Sequence, residues 1–258
     1  MKHSKQAWAR LLLAGCAALA VSAPLAAAEA LSIKLDLSKA PDAGDYAARS
    51  EAVIEQWYPR INEILYPPGH ALPYSQIKLV FEPELGIDGA AAYVANSEMH
   101  VSSVIMREMH DRFEAMVIHE LVHLNQNYPP AKPEAEWLIE GIADYIRHKY
   151  YERDILPTLR MGADGRLRGY GLDAPYFLQL QSNAVDLRPR GYLKAYTVAG
   201  SFLFWLETHK DKDVVRKLNL ALSEGRYAEA LFEQCCGAPL DTLWAQFVAD
   251  CQAGKDAP

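Results

Sequence analysis

His119-Glu120-Leu121-Val122-His123 sets two imidazoles four residues apart, with a carboxylic acid directly after the first. The stretch around it, Arg112 to Asn127, carries apolar residues at helical spacing and ends before Pro129-Pro130, which places the motif on a helix. Residues i and i+4 of a helix project from one face, about 6 Å apart along the axis. Both rings can therefore reach one ion at roughly 2.0–2.1 Å, the Zn–N distance. Glu120 then points to one side of that ion, where it can take a proton from a metal-bound water and pass it to a leaving amine. A catalytic zinc also needs a third protein ligand and one open position for water. Glu140-Gly141-Ile142-Ala143-Asp144 begins seventeen residues after His123, beyond Pro129, Pro130 and Pro133. Glu140 and Asp144 share a helical face, so Glu140 can be the third ligand. Asp144, one turn on, can hold the free ring N–H of a ligand histidine and fix its tautomer. Gly141 permits close approach of the two helices.

The elements that must position these residues follow from periodicity. Ile33 to Leu37 alternates like a short strand, and Tyr46 to Leu65 has helical spacing that stops at Pro67-Pro68-Gly69. Ile77 to Phe81 is a second strand, Gly86 to Ala92 a Gly/Ala-rich loop, and Tyr93 to Val104 extended with weaker alternation. A second helix beyond the zinc motif spans Glu134 to Tyr150. Residues 154–191 are rich in Gly, Pro and Arg and read as mostly loop with one short helix. Three or four helices follow, at about 192–209, 211–222, 226–235 and 239–252. Strands with one helix, then helices only, is an α+β arrangement rather than alternating β/α units. His148, four residues after Asp144, reads as a surface histidine; His70, His100, His110 and His209 lack partners at ligand spacing.

With these motifs in hand, the chain resembles the basic secretory protein family of plant and bacterial metallopeptidases, within the zincins. The family pattern sets H-E-x-x-H-x-x-Q before L-I-E-G-I-A-D-Y. It is matched by His119 through Gln126 and by Leu138-Ile139-Glu140-Gly141-Ile142-Ala143-Asp144-Tyr145. Trp57-Tyr58-Pro59-Arg60-Ile61 is similar to the family's W-Y-P-K-I, and Asp241-Thr242-Leu243-Trp244 to its closing D-x-L-W. The resemblance implies a zincin-like fold whose active-site helix carries the motif, and zinc held by His119, His123 and Glu140. The wider gluzincin group is similar in pairing the motif with a downstream Glu, and by that likeness Asp144 should bond His119. Gluzincins also use a Tyr or His from a later helix to bind the oxyanion. The family's G-Y-x-V-x-A-x-F-L resembles Ala195 through Leu203 and picks Tyr196, with Tyr192 as a rival one turn earlier. Zincins often bind substrate backbone along an edge strand, and Ala95 to Ser103 is either such an edge or a plain sheet strand.

Length and charge set the remaining bounds. The 258 residues, half of them apolar, suit one domain with an α+β lobe over about 31–127 and a helical lobe over about 134–252. Lys2, Lys5 and Arg10 precede the apolar run Leu11 to Val21, and Ala26-Ala27-Ala28 offers a cleavage site before Glu29. Residues 1–28 thus read as a signal peptide, the mature domain as 29–258, and its location as periplasmic or extracellular. The run is too short for a convincing membrane span. Leu13-Ala14-Gly15-Cys16 also resembles a bacterial lipobox, which would make Cys16 a lipid anchor. Removing the three basic residues takes the net charge from −7 to −10, which disfavours nucleic acid and anionic membranes as partners. In an oxidising compartment Cys251 can pair with Cys235 or Cys236; all three can equally be small buried residues. The expected function is hydrolysis of peptide or protein substrates by a zinc-activated water, with Glu120 as general base and acid. An amide or cell-wall hydrolase using the same site, and a non-catalytic zinc-containing binding protein, are the alternatives.

Overall fold

Alternation in Gln76-Ile77-Lys78-Leu79-Val80-Phe81-Glu82 turns Ile77, Leu79 and Phe81 inward, all fully buried, and builds the strand at the heart of the sheet. The computed structural model describes residues 30–87, 89–109, 112–130, 133–153, 158–161, 167–170 and 187–253. Residues 1–29, with the expected signal peptide and Cys16, as well as His110 and most of 154–186, fall outside them. In order come β1 (Ser32–Asp36), α1 (Gly44–Leu65), β2 (Gln76–Glu82), β3 (Ala92–Ala95), β4 (Glu98–Ser102), α2 (Ser103–Met109) and α3 (Phe113–Gln126). A 3₁₀ turn at Pro133–Ala135 leads into α4 (Glu136–Ile146), which ends in a π turn, Arg147–Tyr151. The short strands β5 (Thr158–Met161) and β6 (Leu167–Tyr170) pair antiparallel. Then follow α5 (Tyr196–His209), α6 (Val214–Ser223), α7 (Ala230–Cys236) and α8 (Leu240–Gln252). The class is α+β: a small mixed sheet with mostly helical structure around it.

The main sheet has the order β1-β2-β4-β3, with β1, β2 and β4 parallel and β3 antiparallel to β4. This corrects the reading of Tyr93 to Val104 as one extended segment. Asn96 sits in the left-handed region at φ 55° and turns the chain into a hairpin, which an Asn tolerates better than most residues. Ser102 Oγ then accepts the N–H of Ile105 at 3.2 Å and caps the unexpected helix α2. Of the two readings of Ala95 to Ser103, edge or plain sheet strand, the plain strand holds for its β4 part. β4 is interior, between β2 and β3, and the edge is β3.

Helix α3 is held against α1 by polar as well as apolar contacts. Asn125, fully buried, donates through Nδ2 to the carbonyls of Tyr58 at 3.2 Å and Leu121 at 3.0 Å. The Tyr66 hydroxyl donates to the Asn125 carbonyl at 3.1 Å. Helices α4 and α5 pack through reciprocal glycines. A Cβ on Gly141 would lie 2.8 Å from Ala199 Cβ, and one on Gly200 would lie 2.9 Å from the Tyr145 nitrogen. Gly141 therefore serves the approach of α4 to α5, not the approach of α4 to the motif helix. Trp137, Tyr192, Phe202, Trp244 and Phe247 lock the later helices together at ring separations of 4.5–5.9 Å, each pair adding about 0.5–1.5 kcal/mol beyond its buried area. Leu31–Pro258 forms one unit, with a core that runs from Ala40 to Cys251. Cys235, Cys236 and Cys251 are all unpaired, so the disulfide reading is not realised. No helix of the described residues is long and apolar enough to cross a membrane.

Candidate metal centre

Helices α3 and α4 bring His119, His123 and Glu140 together, with one donor atom from each lying within 4.8 Å of the others. Helical spacing alone puts the two rings on one face of α3. The turn through Pro129 and Pro130 folds α4 back over that face. Asn127, left-handed at φ 30°, stops α3 and donates its N–H to the His123 carbonyl at 3.2 Å.

The second ring nitrogens decide what the first can do. His119 Nδ1 is 2.9 Å from Asp144 Oδ1, and a carboxylate only accepts, so the proton sits on Nδ1. His123 Nδ1 is 2.8 Å from Gln126 Oε1. The Gln126 amide nitrogen is already used, donating to the Ile139 carbonyl at 3.0 Å, so His123 Nδ1 also carries its proton. Both Nε2 atoms then present lone pairs to each other at 3.1 Å. Glu140 Oε2 adds more, 3.2 Å from His119 Nε2 and 3.5 Å from His123 Nε2. Three converging lone pairs repel unless a cation stands among them. A tetrahedral ion with ligands at about 2.0–2.1 Å needs them about 3.3–3.4 Å apart, close to the three observed separations. The donor set, two imidazoles and a carboxylate, is one zinc accepts.

Without a metal, a proton must answer the same demand. Burial disfavours a charged His119, but its bonds to Asp144 and Glu140 outweigh that and push its pKa up to about 10. Burial likewise opposes ionised Asp144, yet the His119 bond and nearby positive charge hold it down to about 2. Glu140 is held well below the usual carboxylate range by the two histidines, again against burial. His148 corrects a surface reading. It is 2 % exposed, with Nε2 3.9 Å from Asp144 Oδ2 and Nδ1 3.6 Å from Glu152 Oε2. Burial pushes its pKa down to about 4. Arg147 closes this buried group, 2.7 Å from Glu152 through Nε.

The centre opens on a cavity of about 810 Å³. Glu120 lines it, 7 % exposed, with no hydrogen-bond partner among the described residues. Tyr196 lines it too, its ring 6.3 Å from that of His119. Burial, followed by the charges of Glu140, Glu136, Asp144 and Glu120, raises its pKa, so its hydroxyl stays a donor. Tyr192 is 2 % exposed among Trp137, Phe202 and Trp244 and does not reach the cavity. Opposite lies the sheet edge: Ala91, Ala92, Tyr93 and Val94, consecutive residues whose side chains alternate between faces, all line the cavity, so the edge of β3 that no strand among the described residues pairs is what borders it. Sequence reasoning gave no role to Gln126, although its i+3 spacing from His123 was a readable signal. It missed the β3 edge because the hairpin turn was not recognised.

No curated protein and no solved structure gives a match to this chain. A family model described as peptidase of plants and bacteria matches residues 43–187 and 181–247. These spans take in α1, the whole centre, Tyr196 and the Trp244 that closes the aromatic cluster. The chain belongs to this family, the basic secretory protein (BSP) peptidases of plants and bacteria.

Proposed function

We propose that the chain is an exported, zinc-dependent metallopeptidase with a zincin-like domain over residues 29–258. The observation that carries this reading is the lone-pair triangle of His119, His123 and Glu140, with both Nδ1 protons anchored, beside the Glu120 carboxylate, which has no hydrogen-bond partner among the described residues. A zinc ion there would polarise a carbonyl and lower the pKa of water. Glu120 takes the proton of the attacking water on its carboxylate and returns it to the leaving amine nitrogen. The Tyr196 hydroxyl donates to the oxyanion that develops on the scissile carbonyl. Asp144 and Gln126 hold the two rings in the tautomer that leaves both Nε2 atoms free. An extended substrate adds as a strand to the free edge of β3, which supplies backbone hydrogen bonds and runs its chain past the centre.

The test is Glu120→Gln, which keeps size and polarity but cannot accept the proton. Zinc content should stay at one per chain, while turnover on a peptide from an unbiased library falls about 10²–10⁴-fold. Wild-type turnover in the variant would refute the mechanism. A wild type that cleaves no peptide but hydrolyses cell-wall amides, or hydrolyses nothing, would favour one of the alternatives. Intact-mass analysis of exported protein should find a start near Glu29; a diacylglycerol on Cys16 would show lipidation instead.

A further inference from the structure

Tyr93 is the only bulky side chain on β3, whose other residues are Ala92, Val94 and Ala95. Its ring turns to the outer face of the sheet and stacks on His100, its cross-strand partner in β4, with ring centroids 4.6 Å apart and planes 2° from parallel. His100 is itself clamped. Its Nδ1 lies 2.9 Å from Glu82 Oε1 and its Nε2 3.3 Å from Glu98 Oε2, while Lys39 holds Glu82 at 2.6 Å. The ring of Tyr93 thus has a fixed backing, yet it remains partly exposed and borders the same cavity as Glu120 and Tyr196.

A peptide laid on the β3 edge alternates its side chains between the two faces of the sheet. Those on the inner face meet the small residues Ala92 and Val94. A side chain opposite Tyr93 on the outer face meets a flat aromatic wall that cannot swing away without losing the His100 stack. We infer that Tyr93 is a specificity-determining residue and that it selects an aromatic side chain at one position of the bound peptide, with His100 as the positioning residue behind it. This rests on the reading of the β3 edge as the substrate track. Aromatic cross-strand pairing in such a setting corresponds to roughly a 2- to 12-fold preference over alanine.

Binding rather than cleavage tests this, so that it can fail separately from the peptidase assignment. Zinc-loaded Glu120→Gln protein is titrated with blocked Ala/Thr peptides in which a single Phe, or a single Lys, is moved along the chain. At one position Phe should tighten binding roughly 2- to 12-fold over the parent peptide. Adding Tyr93→Ala should cancel that gain while zinc content is unchanged, and Tyr93→Phe should keep it. His100→Ala should reduce the gain in part, without altering the affinity of the parent peptide. The assignment is overturned if no Phe position depends on Tyr93, or if Lys gains more than Phe at the Tyr93-dependent position. Turnover of the same peptides by wild type separately decides whether the protein is a peptidase.

Discussion

Asp144→Asn changes one oxygen for an amide nitrogen in a residue that is 2 % exposed, and its consequence can be worked from the contacts. Asp144 Oδ1 receives the His119 Nδ1 proton at 2.9 Å. An asparagine either accepts that proton as a neutral, weaker partner or turns its NH₂ toward Nδ1 and drives the proton to Nε2, into the metal position. Hydrogen bonds to charged groups contribute about 1.5–3 kcal/mol. Losing most of one corresponds to about a 10- to 100-fold weaker zinc affinity, the range typical of such supporting partners. The fold should survive, because Asn has nearly the same volume and Arg147 stays paired with Glu152 at 2.7 Å. The assay is competition against a metal-buffering chelator, run from pH 7 to 9. Metal-free His119 has a pKa raised from 6.5 to about 10, so its protonated form stabilises the metal-free fold fully below about 6.5, and that contribution is lost as pH rises through about 10. Zinc must expel this proton, so wild-type affinity should tighten about tenfold per pH unit across the assayed range. In Asp144→Asn the raised pKa falls and the slope should flatten. Wild-type affinity with an unchanged slope in the variant would refute the role given to Asp144, and a flat wild-type profile would refute the protonated metal-free site.

Two further outcomes follow from the geometry. Tyr196→Phe should keep its zinc and KM while kcat falls about 10²–10³-fold, the loss typical of one oxyanion donor; Tyr192→Phe, buried away from the cavity, should leave kcat near wild type, and steady-state kinetics on both decides between them. Gly200→Ala sets a methyl 2.9 Å from the Tyr145 nitrogen, a backbone atom that cannot give way cheaply, and should destabilise by about 1–3 kcal/mol in urea unfolding; an unchanged midpoint would show that α4 and α5 are not tightly apposed.

Local spacing was enough to place His119 beside His123 and Glu140 in line with Asp144, because four residues along one helix fix a shared face whatever surrounds them. The buried alternation of β2 was equally legible, since Ile77, Leu79 and Phe81 obey a period of two that belongs to the strand alone. The α+β class follows from such runs taken in order. Other features depend on which elements meet across long stretches of chain. Gln126 reaches His123 through an i+3 contact but is locked in orientation by the Ile139 carbonyl, on a different helix. Tyr196 and Tyr192 read as one turn apart on a single helix over 192–209, but Tyr192 lies in a 3₁₀ turn, Gly191–Leu193, and the extended Ala195 breaks the chain before α5 starts at Tyr196, so one ring goes to the cavity and the other to the aromatic core. His148 looks like any exposed histidine until the π turn carries it beside Asp144 and Glu152. The choice between edge and plain strand for Ala95 to Ser103 stays open in the sequence because a two-residue turn at Asn96 is nearly silent in periodicity, yet it decides which strand lies at the edge of the sheet. Helical faces are set by bonds within four residues and so are written in the sequence itself. The partners of those faces are chosen by the packing of the whole chain, where many weak contacts must agree at once, and only the tertiary structure decides them.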